Sequence, residues 1–232
     1  MSKYIFYHIY CCENTEPIVR DQVIKILFSG LYDNVDCIYC FLAGIPQYID
    51  LIIFILQTSG KKFKIEQIGI YDKSFERFTI HKIKNYIQNE DKILYIHSKG
   101  ASYRGWSNIT NWRNFMEYYV IRHHEECIKL LDEYDTVGIQ LLYDPFTHYC
   151  GNFWWCRGDY FLKLPDISTL TVKEECRCSY TENYVGLNNP RAYTLNHTKK
   201  NLYNDVFLLY EYVDSPPARA EGAATILMQH TN

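Results

Sequence analysis

The tetrapeptide His97-Ser98-Lys99-Gly100 is the clearest candidate for chemistry in this sequence. It follows the apolar run 92–96, which predicts a strand. Side chains two positions apart in a strand share a face, so His97 and Lys99 are expected on the same side. Gly100 allows the backbone to turn close to a ligand, and the Lys99 ammonium can neutralise a phosphate. The alternative is a strand end that simply meets solvent.

Polar residues follow other predicted strands as well. Cys11 to Asn14 follow the first strand, Asp72 follows the third and Asp144 follows the fifth. Ligands of open α/β sheets bind at the carboxyl ends of the strands, so these residues are expected to meet at one edge of the sheet. Their convergence predicts a site for a nucleotide-type ligand.

Two carboxylates are candidates for a general base. Glu182 is the first choice and Asp144 is the second, because an inverting transfer to a hydroxyl group needs one carboxylate to take the proton. The alternatives are a surface glutamate that caps a helix and a turn aspartate that precedes Pro145.

Aromatic and amide side chains form a second group of candidates. A ring on the first strand, at His8 or Tyr10, can stack on a uracil-like base. Asn152, Trp154 and Trp155 are candidates for a sugar-binding wall, since aromatic faces suit the C–H surfaces of sugars. Alternation along a strand puts Trp154 and Trp155 on opposite faces, so at least one is expected in the core.

Hydrophobic periodicity predicts the elements that position these residues. Predicted strands at 3–10, 35–42, 64–71 and 92–96 alternate with helices at 17–30, 46–57 and 75–87. A long helix over 112–131 and strands over 136–142 and 149–156 follow. The order indicates one α/β domain over residues 1–213, a mostly parallel, Rossmann-like mixed sheet flanked by helices.

Composition excludes several classes of protein. The chain has 232 residues, of which 47% are hydrophobic and 22% charged, enough to build a folded core. A net charge of −3 argues against a protein that coats nucleic acid. The aliphatic block 51–56 is far too short for an integral membrane segment, and the N-terminus lacks the pattern of a signal peptide. Residues 214–232 differ in composition and are interpreted as a flexible or appended tail.

The nine cysteines are an odd number. Without an export signal, this favours reduced thiols. Cys37 and Cys40 have CxxC spacing, but in a predicted strand they face opposite sides, so buried thiols are favoured over a zinc site. The sequence also lacks the motifs of serine hydrolases, P-loop proteins and dinucleotide-binding domains.

The element order, with a polar X-x-X step after the fourth strand, resembles GT-A-type nucleotide-sugar glycosyltransferases. In that fold the step is usually Asp-x-Asp, which holds a divalent cation on the diphosphate. His97-Ser-Lys-Gly100 is similar instead to the His-x-Lys version of rhamnan-synthesis-F-like glycosyltransferases and of short glycosyltransferase domains in large DNA viruses. Other matching pieces are Asp72, Trp112-Arg113, Val137-Gly138, Gly151-Asn-Phe-Trp-Trp-Cys-Arg157 and Thr181-Glu-Asn-Tyr-Val-Gly186, so the resemblance covers about residues 3–210.

The resemblance implies a cytoplasmic hexosyltransferase-like enzyme of glycan biosynthesis, in the host cytoplasm if the chain is viral. Its donor would be a nucleotide sugar, with a UDP-sugar first, held by Lys99 together with Arg104 and Arg113. Its acceptor would be a glycan, a lipid-linked sugar or a protein. The departure from Asp-x-Asp leaves Mn²⁺ or Mg²⁺ binding open, with His97 and His197 as candidate ligands.

Two other readings stay open at this point. The missing Asp-x-Asp favours a non-catalytic module that binds nucleotide or sugar on a degenerate transferase fold. A weaker hypothesis is an interaction protein that displays an aromatic surface.

Overall fold

The computed structural model describes residues 1–70, 76–103, 107–170 and 179–213. Two predicted ligand-binding residues, Asp72 and Arg104, lie outside these ranges. The predicted tail, 214–232, also lies outside them.

A seven-stranded sheet forms the centre of the molecule, in the order β3-β2-β1-β4-β8-β5-β9, and β6 pairs with β7 in a small second sheet. Within the large sheet, β8 runs antiparallel to both its neighbours, and the other pairs are parallel. The predicted fold class, a mostly parallel mixed sheet flanked by helices, is confirmed. The strands are β1 (Lys3–Cys11), β2 (Cys37–Gly44), β3 (Phe63–Ile70), β4 (Lys92–His97), β5 (Thr136–Gly138), β6 (Leu141–Leu142), β7 (His148–Tyr149), β8 (Trp154–Arg157) and β9 (Ala192–Thr194).

Helices cover both faces of the sheet. The α-helices are α1 (Thr15–Phe28), α2 (Leu31–Asn34), α3 (Pro46–Ser59), α4 (Arg77–Ile83), α5 (Ser107–Glu117), α6 (His124–Leu130), α7 (Gly158–Lys163) and α8 (Ser179–Glu182). A π-helix, Tyr118–Arg122, joins α5 to α6. Short 3₁₀ turns lie at Ile167–Thr169, Tyr184–Gly186 and Leu209–Glu211.

The first half of the chain folds as its local signals predict. Val19, Val23 and Ile26 are buried along one face of α1, as a helical spacing requires. The chain turns after α1 at Gly30, which has a φ of 82° and so takes a conformation that favours glycine. Pro46 occupies the first position of α3, where its missing N–H costs nothing.

The second half departs from the predicted elements. The long helix predicted over 112–131 is interrupted by the π-helix. The predicted strand 149–156 divides into β7 and β8, because Gly151 and Asn152 take φ values of 93° and 60° and extended pairing cannot continue through them. Strand β9 was not predicted, since the sequence beyond residue 163 shows only loose periodicity.

The sheet separates two apolar clusters. One contains Ile9, Phe115 and Trp155 and packs against α1, α3 and α5. The other contains Trp154 and Phe161 and packs against α4 and α7. No helix in the described ranges combines the length and the apolar character needed to cross a membrane.

Candidate functional site

The His97–Gly100 turn is held in place where the parallel strands β1 and β4 end. The Ser98 N–H donates to the His8 carbonyl at 3.0 Å, and the Ser98 hydroxyl accepts from the Tyr10 N–H at 2.9 Å. Gly100 has a φ of 96°, which turns the chain away from the sheet. The predicted ligand-binding residues His8, Tyr10 and Ser98 therefore contribute to this turn, and both His8 and Tyr10 do so through their backbone.

Lys99 places a positive charge at this edge of the sheet. Its Nζ lies 3.6 Å from the centroid of the Trp112 ring and 5.8 Å from that of Tyr203. A cation over an aromatic face is stabilised by the ring quadrupole. The charge of Lys99 lowers the pKa of Glu76, and it offsets part of the rise that burial causes in the pKa of Glu182. Both carboxylates therefore lie within its electrostatic range.

His97 is held between two oxygen acceptors. Its Nε2 lies 3.0 Å from the Gly151 carbonyl, and because a carbonyl only accepts, this nitrogen carries the hydrogen. Its Nδ1 lies 3.4 Å from Oε1 of Glu76. Burial lowers the pKa of His97, and the Glu76 carboxylate offsets part of that effect.

Glu76 contacts the candidate site and was not predicted from the sequence. It lies immediately before α4, and its Oε2 accepts from the Thr181 hydroxyl at 2.7 Å. Burial raises the pKa of Glu76, but the charges of His97 and His8 and the hydrogen bond from Thr181 outweigh it, so the pKa lies below its ordinary value. Nothing in its sequence context distinguishes this glutamate from the exposed Glu90.

Glu182, the predicted general base, lies at the end of α8 next to Thr181. Burial raises the pKa of its carboxyl to about 7, with the negative charge of Glu76 adding to the rise and the charge of Lys99 opposing it. The structure therefore brings together Glu76, His97, Lys99 and Glu182, which we call the rim cluster. Such a displaced pKa at a sheet edge is typical of a functional site.

His8 is a structural neighbour of the rim cluster. Its Nδ1 lies 2.8 Å from the Thr79 hydroxyl, and burial lowers its pKa to about 4. His8 is thus a buried, neutral ring at pH 7. Its ring packs against Phe78 in a T-shaped arrangement and is buried, so little of the His8 ring is accessible to a base.

Both tryptophans of the predicted sugar-binding wall lie inside the sheet. Trp154 and Trp155 are completely buried, one in each apolar cluster. The Trp154 indole stacks on Tyr95 and donates to Oδ1 of Asn152 at 2.8 Å, and the Trp155 indole donates to the Val120 carbonyl at 2.8 Å. Asn152 is itself fully buried, so these residues support the sheet and have no surface that a sugar could reach.

Asp144, the second choice for a general base, is exposed in the turn between β6 and β7. It precedes Pro145 through a cis peptide bond. Within the described ranges, no hydrogen bond or ion pair joins it to the rim cluster. Its placement fits the turn alternative raised by the sequence.

The donor set at His97 does not fit a divalent cation. Both ring nitrogens already face oxygen acceptors, and Lys99 adds a positive charge that repels a metal ion. His197, the other predicted ligand, is exposed on the segment after β9. Among the residues that the structure describes, no three His, Cys, Asp or Glu side chains lie close enough to share a metal ion.

A separate cavity of about 1190 Å³ lies between α1 and α5. Gly100, Tyr103 and Arg113 are among its lining residues, and none of the rim cluster is. Arg113, a predicted ligand-binding residue, is buried and donates from Nη1 to the Lys99 carbonyl at 2.7 Å. This hydrogen bond fixes the His97–Gly100 turn from the side of α5.

The rim cluster suits acid–base chemistry next to a bound anionic ligand. A carboxyl with a pKa of about 7 is partly ionised near neutral pH, and its carboxylate form is a stronger base than an ordinary glutamate. It can therefore accept a proton from a hydroxyl group and release it again. An ammonium in electrostatic range stabilises the negative charge that develops on a leaving group.

Comparisons with known proteins give a family match and a distantly similar solved structure. The family model described as "Domain of unknown function (DUF8361)" matches residues 6–204. No curated protein matches the chain. Among solved structures, the crystal structure of 4-diphosphocytidyl-2C-methyl-D-erythritol synthase from Anaerococcus prevotii DSM 20548 is similar, with 9% sequence identity and a TM-score of 0.43 over 91% of this chain and 93% of that chain.

Proposed function

We propose that this chain, which belongs to the family described as a domain of unknown function (DUF8361), is a glycosyltransferase. It would transfer a sugar from a nucleotide-sugar donor, a UDP-sugar first, to a hydroxyl group of an acceptor. The observation that carries the proposal is the grouping of Glu76, His97, Lys99 and Glu182 at one edge of the sheet, where burial raises the pKa of the Glu182 carboxyl to about 7. Both groups lie at the carboxyl edge of parallel strands, where α/β proteins bind their ligands.

Glu182 is the proposed general base. The acceptor hydroxyl attacks the anomeric carbon of the donor sugar, and Glu182 takes the hydroxyl proton. A new carbon–oxygen bond forms as the bond from the anomeric carbon to the diphosphate oxygen breaks, and the electron pair leaves with the nucleoside diphosphate. General-base catalysis of this kind contributes roughly 10²- to 10⁴-fold.

Lys99 is the proposed counter-charge for the leaving diphosphate. Its ammonium would move from the Trp112 ring to the phosphate oxygens, since a diphosphate offers a stronger partner than an aromatic face. Glu76 serves indirectly: it pairs with His97 and keeps the Glu182 carboxyl basic through its own negative charge.

The wider assignment follows from the same proposal. Residues 1–213 form the catalytic unit, which acts in the cytoplasm on a glycan, a lipid-linked sugar or a protein acceptor. Asp72 and Arg104 stay candidates for donor binding. The proposed step uses no metal ion, because the donor set around His97 does not suit one.

The first test is thermal denaturation with a panel of nucleoside diphosphates and nucleotide sugars, each with and without Mn²⁺. A ligand at a hundred times its dissociation constant stabilises the fold by about 2.7 kcal/mol. A shift with a UDP compound, unchanged by Mn²⁺, supports the proposal. No shift with any nucleotide contradicts it and favours the interaction-protein hypothesis.

A Lys99→Ala variant tests the assigned role of the ammonium. Loss of the charge should weaken the nucleotide-dependent shift and lower turnover by at least about tenfold, equal to 1.4 kcal/mol. Lys61→Ala, a change at an exposed lysine in the turn before β3, is the matched control and should behave as wild type. Binding without donor hydrolysis or transfer in the wild-type protein would favour the non-catalytic module instead.

A further inference from the structure

Two side chains from different helices hold the backbone on either side of Ser98. Nε2 of Gln22, on α1, donates to the His97 carbonyl at 3.1 Å. Nη1 of Arg113, on α5, donates to the Lys99 carbonyl at 2.7 Å. These carbonyls belong to His97 and Lys99, whose side chains are part of the rim cluster. The two donors therefore fix the backbone position from which those side chains extend.

Both donors converge on one buried carboxylate. Oε1 of Glu117 accepts from Nε2 of Gln22 at 2.8 Å and lies 3.5 Å from Nε of Arg113. Oε2 of Glu117 pairs with the Lys25 ammonium at 2.6 Å. The Glu117 side chain has no exposed surface, and Gln22 is also fully buried.

This network is not the arrangement that stability alone favours. A buried ion pair often contributes less to stability than apolar side chains of the same volume, because desolvation offsets the attraction between the charges. What the network does provide is orientation. Buried hydrogen bonds and ion pairs restrict side chains to few arrangements. Here the Gln22–Glu117 hydrogen bond and the Arg113–Glu117 ion pair set the position of the donors to the His97 and Lys99 carbonyls.

We propose that Glu117 is a positioning residue for the rim cluster. It holds Gln22 and Arg113, and through them it holds His97 and Lys99 in the geometry that faces the donor diphosphate. The inference rests on the proposed function of the same site. Glu117 is not a catalytic residue, because it reaches His97 and Lys99 only through Gln22 and Arg113.

A Glu117→Gln variant tests the proposal through two independent measurements. The amide keeps the shape of the side chain but removes the charge that binds Lys25 and Arg113. Hydrogen exchange should speed up in the segment 97–103, where the Lys99 and Ala101 amides donate to the His97 and Ser98 carbonyls at 2.8 and 3.1 Å. Exchange in β2 should stay as in wild type, and kcat should fall at least about tenfold.

The controls separate positioning from general destabilisation. Glu125→Gln, the same change at an exposed position on α6, should alter neither measurement. If Glu117→Gln fails to fold, Gln22→Met is the second variant, because it removes the donor to the His97 carbonyl and to Glu117. It also removes the acceptor of the Tyr7 hydroxyl, so exchange in β1 is followed alongside exchange in β2. For either variant, unchanged exchange in 97–103, or exchange that rises equally in β2, overturns the proposal.

The exchange experiment does not depend on the transferase assignment. Should the wild-type protein bind nucleotide without turnover, the affinity from the thermal shift replaces kcat as the second measurement. Faster exchange in 97–103 together with unchanged turnover or affinity would also overturn the positioning role. Failure of the glycosyltransferase proposal would instead appear in the wild-type protein itself, as a lack of nucleotide binding or transfer.

Discussion

Burial changes the acid–base behaviour of three side chains at the carboxyl end of β4. It lowers the pKa of His8 to about 4, lowers that of His97 and raises that of Glu182 to about 7. Removing water disfavours the charged form of each group, so the histidines lose a proton more readily and the glutamate holds one. The result at pH 7 is a neutral His8 ring and a Glu182 carboxyl that is partly ionised.

The pH dependence of the reaction should follow Glu182. A general base works only when unprotonated, so kcat/KM should rise with pH and level off above an apparent pKa near 7. Glu182→Gln should lower kcat by about 10²- to 10⁴-fold and abolish this rise. Initial rates of sugar transfer between pH 5 and 9 measure both effects, and a flat profile in the wild-type protein would exclude Glu182 as the base.

The same carboxyl should also affect stability. Between pH 4.5 and about 7 the folded chain holds a proton on Glu182 that the unfolded chain releases, so the contribution of this group to stability falls as pH rises through that window. Glu182→Gln removes the effect, and the variant should gain on the order of 2 kcal/mol relative to wild type at pH 8 and almost nothing at pH 4. Denaturant titrations of both proteins at the two pH values provide the test.

The turn after β4 is the element on which the site depends. Its backbone is fixed from the sheet by His8 and Tyr10 and from the helices by Gln22 and Arg113. A Cβ added at Gly100, where φ is 96°, would lie 3.0 Å from Cγ2 of Ile109 and 3.2 Å from Nη1 of Arg113. Glycine is therefore needed here for backbone conformation and for the approach of the arginine.

Gly100→Ala should disturb both stability and ligand binding. The positive φ alone costs a residue with a Cβ roughly 1–2 kcal/mol, and displacement of Arg113 from the Lys99 carbonyl adds to that. Gly30→Ala is the matched control, since its φ is 82° but nothing lies within 4 Å of the added carbon. Denaturation should show a loss in both variants, whereas a reduced nucleotide-dependent shift should appear only in Gly100→Ala.

At the scale of the whole molecule, one antiparallel strand decides which residues reach the site. Strand β8 runs between β4 and β5, opposite in direction to both, so the segment before it lies at the same edge as the end of β4. This brings the Gly151 carbonyl to His97. It also leaves Trp154 and Trp155 inside the sheet, on opposite faces.

Trp155 should therefore behave as a core residue. Trp155→Phe removes the hydrogen bond to the Val120 carbonyl and leaves a cavity in a fully buried site, so the free energy of unfolding should fall by about 1–3 kcal/mol. The KM for the donor should not change. A raised KM with unchanged stability would instead support the sugar-binding wall predicted from the sequence.

Local signals in the sequence determined the first half of the fold and the centre of the site. Period-two and period-3.6 patterns, with Gly30 and Pro46 at helix ends, predicted the alternating strands and helices up to β4. The pattern of an apolar strand followed by His97-Ser-Lys-Gly100 identified the turn at the edge of the sheet. These features depend on neighbours in sequence, and a pattern of residue types can therefore reveal them.

Only the tertiary structure decided the partners of that turn. Glu76, Gln22 and Glu117 come from separate segments, and their spacing in the sequence gives no sign that they meet near His97. The burial of both tryptophans and the raised pKa of Glu182 have the same origin. Burial is a property of all the elements that pack around a side chain, so it is set by long-range packing that no local pattern in this sequence encodes.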